Sequence, residues 1–86
     1  MQCFVYRSSA RADTYVFLRG RDDSAVLPRE LAAALGPLVF VLELELVPGR
    51  RLARIGADEL RDVLVERGYH VQFPPREGAP DSLAAG

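Results

Sequence analysis

Residues 38–46 limit the possible folds of this chain more than any other segment. They read Leu-Val-Phe-Val-Leu-Glu-Leu-Glu-Leu, so an uninterrupted apolar run gives way to alternating leucine and glutamate. A short continuous apolar run is typical of a strand covered on both faces, and alternation is typical of a strand with one face in solvent. We therefore expect a central β-strand, buried on both sides over Leu38–Leu42 and emerging into solvent near its end.

The length and composition predict one small domain. The chain has 86 residues, 49% of them hydrophobic, which suffices for a single core. No apolar run approaches the roughly 20 residues of a membrane helix, and the first residues do not resemble a secretory signal. The single cysteine excludes an internal disulfide and a cysteine-based zinc site. We expect a cytoplasmic protein with one domain over residues 1–75, a flexible tail over 76–86 and no membrane association.

The charges are nearly balanced, with 11 basic and 12 acidic residues and a net charge of −1. This balance argues against a protein that coats DNA by bulk attraction. All the basic residues are arginines, which is typical of a high-GC genome, although the planar guanidinium also binds phosphates and carboxylates better than an ammonium does. Composition alone does not separate these two explanations.

Local patterns predict six main elements. Strands are expected over 3–7 and 14–18, a two-turn helix from Pro28 to the Gly36-Pro37 pair, a strand over 38–46, a helix over Ala57–Arg67 and a strand over 69–73. The second helix is the clearest, because Gly56 and Gly68 suit its two caps and an apolar stripe runs along it. The order β-β-α-β-α-β predicts an α/β fold, a mixed four-stranded sheet with helices packed on it. If the third and fourth strands pair directly, they are parallel.

Several short motifs resemble the YcgL family of small gamma-proteobacterial domains. The motifs are Tyr6-Arg7-Ser8-Ser9-x-Arg11-x-x-Thr14-Tyr15, Asp22-Asp23, Pro28-x-Glu30-Leu31, Gly49-Arg50, Ala57-Asp58, Gly68-Tyr69 and Gln72-x-Pro74-Pro75. They follow one another in unbroken order over residues 3–75. The resemblance implies an α/β sandwich and assigns no established biochemical activity.

The loop between the first two strands is the leading candidate site. The site is predicted to contain Arg7, Ser8, Ser9, Arg11 and Thr14, with Arg50 and Arg51 as a second basic group. Guanidinium groups, hydroxyls and free backbone N–H groups together bind phosphate or carboxylate. The alternative is that the serines satisfy a tight turn while the arginines are solvated or pair with Asp13.

Three other groups have both a functional and a structural interpretation. Asp22 and Asp23 are compatible with a metal site or, more simply, with turn capping. Cys3 and His70 form a thiolate–imidazole pair if the outer strands meet, but a cysteine in a strand is usually a small core residue. The tyrosines and Phe73 provide either stacking surfaces for RNA bases or core packing.

We expect a non-enzymatic binding domain that contacts a protein or RNA partner through the hairpin loop. The sequence contains no glycine-rich phosphate loop, no Ser–His–Asp spacing and no metal-ligand spacing, so we expect neither a cofactor nor a metal. The alternatives are a small enzyme that uses Cys3 or the acidic loop, and a structural module that dimerises through an open sheet edge. We expect a monomer or a weak homodimer.

Overall fold

The computed structural model describes residues 1–52 and 55–74. The elements are β1 (Gln2–Ser8), β2 (Tyr15–Leu18), a short 3₁₀ turn (Ser24–Val26), α1 (Arg29–Leu35), β3 (Leu38–Glu45), α2 (Ala57–Arg67) and β4 (Tyr69–Gln72). All six predicted elements are present in the predicted order, with ends within one residue of the expected positions. No helix in the described ranges is long and apolar enough to cross a membrane. The predicted tail over residues 76–86 lies outside the described residues.

The four strands form one sheet in the order β3-β1-β2-β4. This confirms the α/β fold with a four-stranded sheet. The sheet is antiparallel throughout rather than mixed, because all three strand pairings are antiparallel. A parallel pair was expected only if β3 and β4 were neighbours. They lie at opposite edges with β1 and β2 between them, so α2 connects two strands that never pair.

The alternation of β1 supplies both hydrophobic cores. Cys3 and Val5 lie on one face of the sheet, in a cluster with Leu60 and Leu64 of α2. Tyr6 lies on the other face, in a second cluster that includes Leu35 of α1. Since successive residues of a strand point to opposite faces, one strand contributes to both cores. The domain is therefore a three-layer α/β/α sandwich with one helix on each side of the sheet.

The structure corrects the prediction that Leu38–Leu42 is a central, doubly covered strand. β3 is an edge strand that pairs only with β1 among the described strands. The exposed fractions of its apolar side chains lie between 37% and 45% for Val39, Phe40, Val41 and Leu42. The two central positions of the sheet are occupied by β1 and β2, which a short loop connects into an antiparallel hairpin. The apolar run therefore lies at the sheet margin, beyond the areas that the two helices cover.

The predicted caps of α2 are confirmed. Gly56 is the N-cap, and Gly68 ends the helix in the left-handed conformation at φ 90°. The Gly68 N–H donates to the Leu64 carbonyl oxygen at 2.8 Å, which satisfies one of the last carbonyls of the helix. Ile55 and Leu60, which lie on either side of the helix start, are buried in the same cluster.

Gly36 allows the end of α1 to approach the β1–β2 loop closely. Its φ and ψ of 69° and −170° lie in a region that is essentially restricted to glycine. A Cβ atom built on Gly36 would lie 3.1 Å from both the Ala10 Cβ and the Ser9 Oγ. The absence of a side chain is therefore needed both for the backbone conformation and for the contact with the loop.

We predict that Gly36→Ala lowers the free energy of unfolding by about 2–3 kcal/mol, because it adds backbone strain and a steric clash. Gly49→Ala is the matched control: Gly49 also has a positive φ, of 79°, but a Cβ there has no neighbour within 4 Å. The control is expected to lose only about 1 kcal/mol. Urea unfolding of the two variants measures the difference. Equal losses would show that the contact with the loop contributes nothing.

Candidate functional site

The β1–β2 loop borders an open cleft of about 610 Å³, which we call the hairpin cleft. Its lining consists of residues from the loop, the adjoining strand ends and β3: Arg7, Ser8, Ser9, Ala10, Arg11, Ala12, Asp13, Tyr15 and Val39. Four of the predicted site residues therefore meet at one surface: Arg7, Ser8, Ser9 and Arg11. Sequence reasoning missed Val39 and Tyr15. Only the pairing of Arg7 with both residues brings them there.

The Ser8 hydroxyl has a structural role in this loop. Ser8 is buried, and its Oγ donates to the Leu35 carbonyl oxygen at 2.6 Å. The same oxygen accepts hydrogen bonds from the N–H groups of Ala10 at 3.2 Å and Arg11 at 3.0 Å. One hydroxyl therefore folds the loop and ties it to the end of α1, which leaves Ser8 little capacity for a ligand.

The remaining polar groups of the loop are also largely engaged. Thr14 is fully buried and its hydroxyl donates to the Ala12 carbonyl oxygen at 3.1 Å. The Ser9 N–H donates to the Pro37 carbonyl oxygen at 3.2 Å, and the N–H groups of the next two residues are bonded as well. The expected set of free backbone donors is therefore not formed at residues 9–11. For Ser8 and Thr14 the geometry matches the turn interpretation.

Arg7 and Arg11 carry the positive charge of the hairpin cleft. Both residues are exposed, and neither forms an ion pair with Asp13 within the ranges that the structure covers. The Arg11 guanidinium lies over the Phe73 ring, 5.6 Å from its centroid. Asp13 is in the left-handed conformation at φ 55°, which is typical of an aspartate in a tight turn. Two guanidinium groups thus line the cleft without a carboxylate partner among the described residues.

Arg50 and Arg51 lie at the opposite end of the sheet. The Leu46 N–H donates to the Met1 carbonyl oxygen at 2.8 Å, and the Arg50 N–H donates to the Val47 carbonyl oxygen at 3.1 Å. These bonds place the segment beside the beginning of β1, whereas the hairpin cleft lies at its end. The seven residues of β1 span about 20 Å. The fold therefore separates the two predicted basic groups into different surfaces.

Cys3 and His70 do not form a thiolate–imidazole pair. They lie on the same face of the sheet, but β2 separates β1 from β4, so the two residues are two strands apart. Cys3 is fully buried, and burial raises the pKa of its thiol to about 11. His70 instead lies beside Phe17, with ring centroids 5.9 Å apart. Cys3 is therefore a core residue, and this arrangement excludes an enzyme that uses the two side chains as a pair.

The acidic loop has a structural contact that the sequence did not reveal. The Asp22 N–H donates to the Tyr6 hydroxyl oxygen at 2.7 Å, and that hydroxyl donates to Asp22 Oδ1 at 3.3 Å. Asp22 has a positive φ of 59°, as in a turn. Within residues 1–52 and 55–74, no three His, Cys, Asp or Glu side chains are grouped so as to hold a metal ion. The geometry matches the turn role of this segment.

Most of the tyrosines and phenylalanines considered for stacking belong to the cores. Tyr6 is buried, and Tyr15 and Tyr69 are half-buried against the two clusters. Phe73, by contrast, is 47% exposed and lies beside Arg11. Its position next to the hairpin cleft results from the pairing of β4 with β2, which no local pattern indicates.

Comparisons with known proteins identify the family. The profile of the YcgL domain matches residues 3–75. The chain belongs to the YcgL domain family. A YcgL domain-containing protein of Xanthomonas campestris pv. campestris is 43% identical over 74 residues, which is 86% of each chain. Another from Stenotrophomonas maltophilia is 44% identical over 75 residues, or 87% of each chain.

A third relative extends the match over almost its whole length. It is a YcgL domain-containing protein of Thioalkalivibrio sulfidiphilus, 41% identical over 80 residues that cover 93% of this chain and 99% of the relative. The resemblance noted in the sequence is therefore confirmed. The names of these relatives specify a YcgL domain and no substrate or partner.

We predict that Ser8→Ala lowers the free energy of unfolding by about 2 kcal/mol, since it leaves the Arg11 N–H without its partner and removes a buried bond to Leu35. Ser9→Ala is the matched control, because it removes the neighbouring exposed hydroxyl. We expect the control to remain within about 0.5 kcal/mol of the wild type. Denaturant unfolding measures both. Equal stabilities of the two variants would contradict the structural role of Ser8.

The lowered pKa of His70 predicts how the stability of the domain depends on pH. Burial lowers its pKa by disfavouring the charged form, Glu59 opposes this effect and Arg67 adds to it. Below about pH 6.5 the unfolded chain therefore binds this proton more readily than the folded YcgL domain does. The contribution of His70 to stability is fully present above that pH and is lost as the pH falls toward the lowered pKa.

We expect His70→Gln to reduce the loss of unfolding free energy between about pH 7.5 and pH 5.5. Glu59→Gln is expected to increase that loss, since it removes the carboxylate that raises the pKa of His70. Denaturant titrations at the two pH values measure both differences. If the unfolding free energy of His70→Gln depended on pH as that of the wild type does, His70 would not be the group responsible.

Proposed function

We propose that this YcgL domain is a non-enzymatic binding module that holds a phosphate group of single-stranded RNA in the hairpin cleft. The observation that carries the proposal is the presence of Arg7 and Arg11 at one cleft, exposed and without an ion pair to a carboxylate within the described ranges. Guanidinium groups form strong, often bidentate hydrogen bonds with phosphate oxygens. The proposed contact uses these two side chains and the exposed Ser9, rather than the full set of loop hydroxyls.

The rigidity of the loop supports this role. Ser8 ties the loop to Leu35, and the close contact at Gly36 fixes its position against α1. A loop already ordered in the free protein loses less conformational entropy on binding. The internal hydrogen bonds occupy the backbone N–H groups of the loop, so these groups do not bind a ligand. The same bonds hold the loop in a fixed position, from which the arginine side chains extend.

The neighbouring ring favours RNA over an acidic protein segment. RNA bases stack on aromatic rings and on guanidinium planes. The exposed Phe73 ring beside Arg11 therefore offers a surface for a base next to the positive charge that attracts a phosphate. A carboxylate of a protein partner would form ion pairs with the arginines, but it would not stack on the ring. The volume of the cleft, about 610 Å³, is sufficient for a nucleotide.

Fluorescence anisotropy with a labelled RNA of about twelve nucleotides tests the proposal. We expect Arg7→Ala/Arg11→Ala to raise the Kd at least about tenfold at low salt and to reduce the slope of log K against log salt by about 1.4. The matched control is Arg50→Ala/Arg51→Ala, which removes the same charge at the other end of the sheet. We expect this control to change the Kd by less than about threefold.

Two results would overturn the proposal. An equal loss of affinity in both double variants would mean that binding depends on overall charge rather than on the hairpin cleft. No binding of the RNA at low salt would remove the RNA function. Binding of a glutamate-rich peptide that depends on Arg7 and Arg11 would then assign the cleft to an acidic protein partner.

A further inference from the structure

The outer edge of β3 is an apolar strand edge that no other strand in the described ranges covers. Val39, Phe40, Val41 and Leu42 are all exposed, and no other described strand pairs with this side of β3. An exposed, apolar edge strand is a template for pairing with another chain, which monomeric proteins usually block with charges or a covering segment. The two charged residues of β3, Glu43 and Glu45, both lie in its second half. Four consecutive edge positions therefore lack such protection.

We propose that β3 pairs antiparallel with β3 of a second copy of this chain, which forms a two-fold symmetric dimer with a continuous eight-stranded sheet. In a symmetric pair the same surface serves both copies, so the charges of β3 must suit β3 itself. A parallel arrangement would place Glu43 opposite Glu43 and Glu45 opposite Glu45, which like-charge repulsion disfavours. An antiparallel arrangement places each glutamate opposite the apolar half of the other strand.

The faces of β3 limit the registers that such a pair can adopt. Tyr6 pairs with Phe40 and Phe4 pairs with Glu43, across a bulge in β3. Because Phe4 and Tyr6 are two residues apart in β1, Phe40 and Glu43 lie on the same face of the sheet. Directly opposite residues of two paired strands must share a face. A register that places Phe40 opposite Glu43 of the second copy meets this requirement.

This register pairs the whole strand with itself. It places Leu38 opposite Glu45 and Val39 opposite Leu44 of the second copy, and it centres the two-fold axis between Val41 and Leu42. All eight residues of β3 then have a partner. The exposed side chains at positions 39, 41 and 42 meet apolar side chains across the interface, which removes them from water.

Arg21 supplies the charge complementarity at the edge. Its guanidinium lies over the Phe40 ring, 4.3 Å from the centroid, and it forms no ion pair with a carboxylate within residues 1–52 and 55–74. In the proposed register, Glu43 of the second copy lies directly opposite Phe40, next to this guanidinium. Symmetry produces the contact twice. The cation is therefore positioned where the partner copy brings an anion.

Sedimentation equilibrium of the full chain at concentrations up to about 1 mM tests the proposal. We expect the wild type to dimerise reversibly and Val41→Lys to remain monomeric, since a lysine at a strand edge blocks pairing. Val65→Lys is the matched control: Val65 is the same residue type and is more exposed than Val41, but it lies on α2. We expect this variant to dimerise like the wild type. Far-UV circular dichroism verifies that each variant is folded.

A charge-reversal cycle tests the register. Arg21→Glu and Glu43→Arg are each expected to raise the dimer Kd about tenfold, and the double reversal is expected to restore it to within about threefold. A wild type that is monomeric at every concentration would overturn the proposal, as would a Val41→Lys variant that dimerises normally. Failure of the double reversal to restore dimerisation would overturn this register. None of the four substituted residues lines the hairpin cleft, so these tests are independent of the RNA-binding test.

Discussion

The pairing of β1 on both sides is the constraint on which the rest of this structure depends. β1 hydrogen-bonds to β2 and to β3, and its alternating side chains enter both hydrophobic clusters. Its last residue, Ser8, continues this role by bonding the loop to the end of α1. Because one strand joins the two cores and the loop, a change in its register would move every inward side chain to the wrong face.

The same arrangement determines which polar groups of the hairpin cleft are exposed to solvent. The hydroxyls of Ser8 and Thr14 and the N–H groups of residues 9–11 hold the loop together. What the loop presents outward is the arginine side chains. The groups that maintain the shape of the loop are therefore distinct from the arginine side chains that we propose as ligand contacts. Phe73, next to the edge strand β4, lies beside Arg11.

The site was predictable in part. Arg7, Ser9 and Arg11 are close in sequence, so a turn between two strands brings them together in any register. The role of the Ser8 hydroxyl, by contrast, depends on Leu35, which is 27 residues away. The separation of Arg50 and Arg51 from the loop depends on the direction in which β3 leaves the sheet. Val39 and Tyr15 line the cleft through their pairing with Arg7. Phe73 lies beside Arg11 because β4 pairs with β2, and no local pattern indicates that pairing.

The sequence by itself determined the identity, order and limits of the strands and helices, because these follow from local alternation, apolar stripes and residues such as Gly68 that end a helix. Only the tertiary structure decided which strands are neighbours. An apolar run such as Leu38–Leu42 has the same local preference at the centre of a sheet and at its edge, since burial depends on what lies alongside. The β1–β2 hairpin occupies the centre, and this leaves β3 at the margin with its apolar side chains exposed.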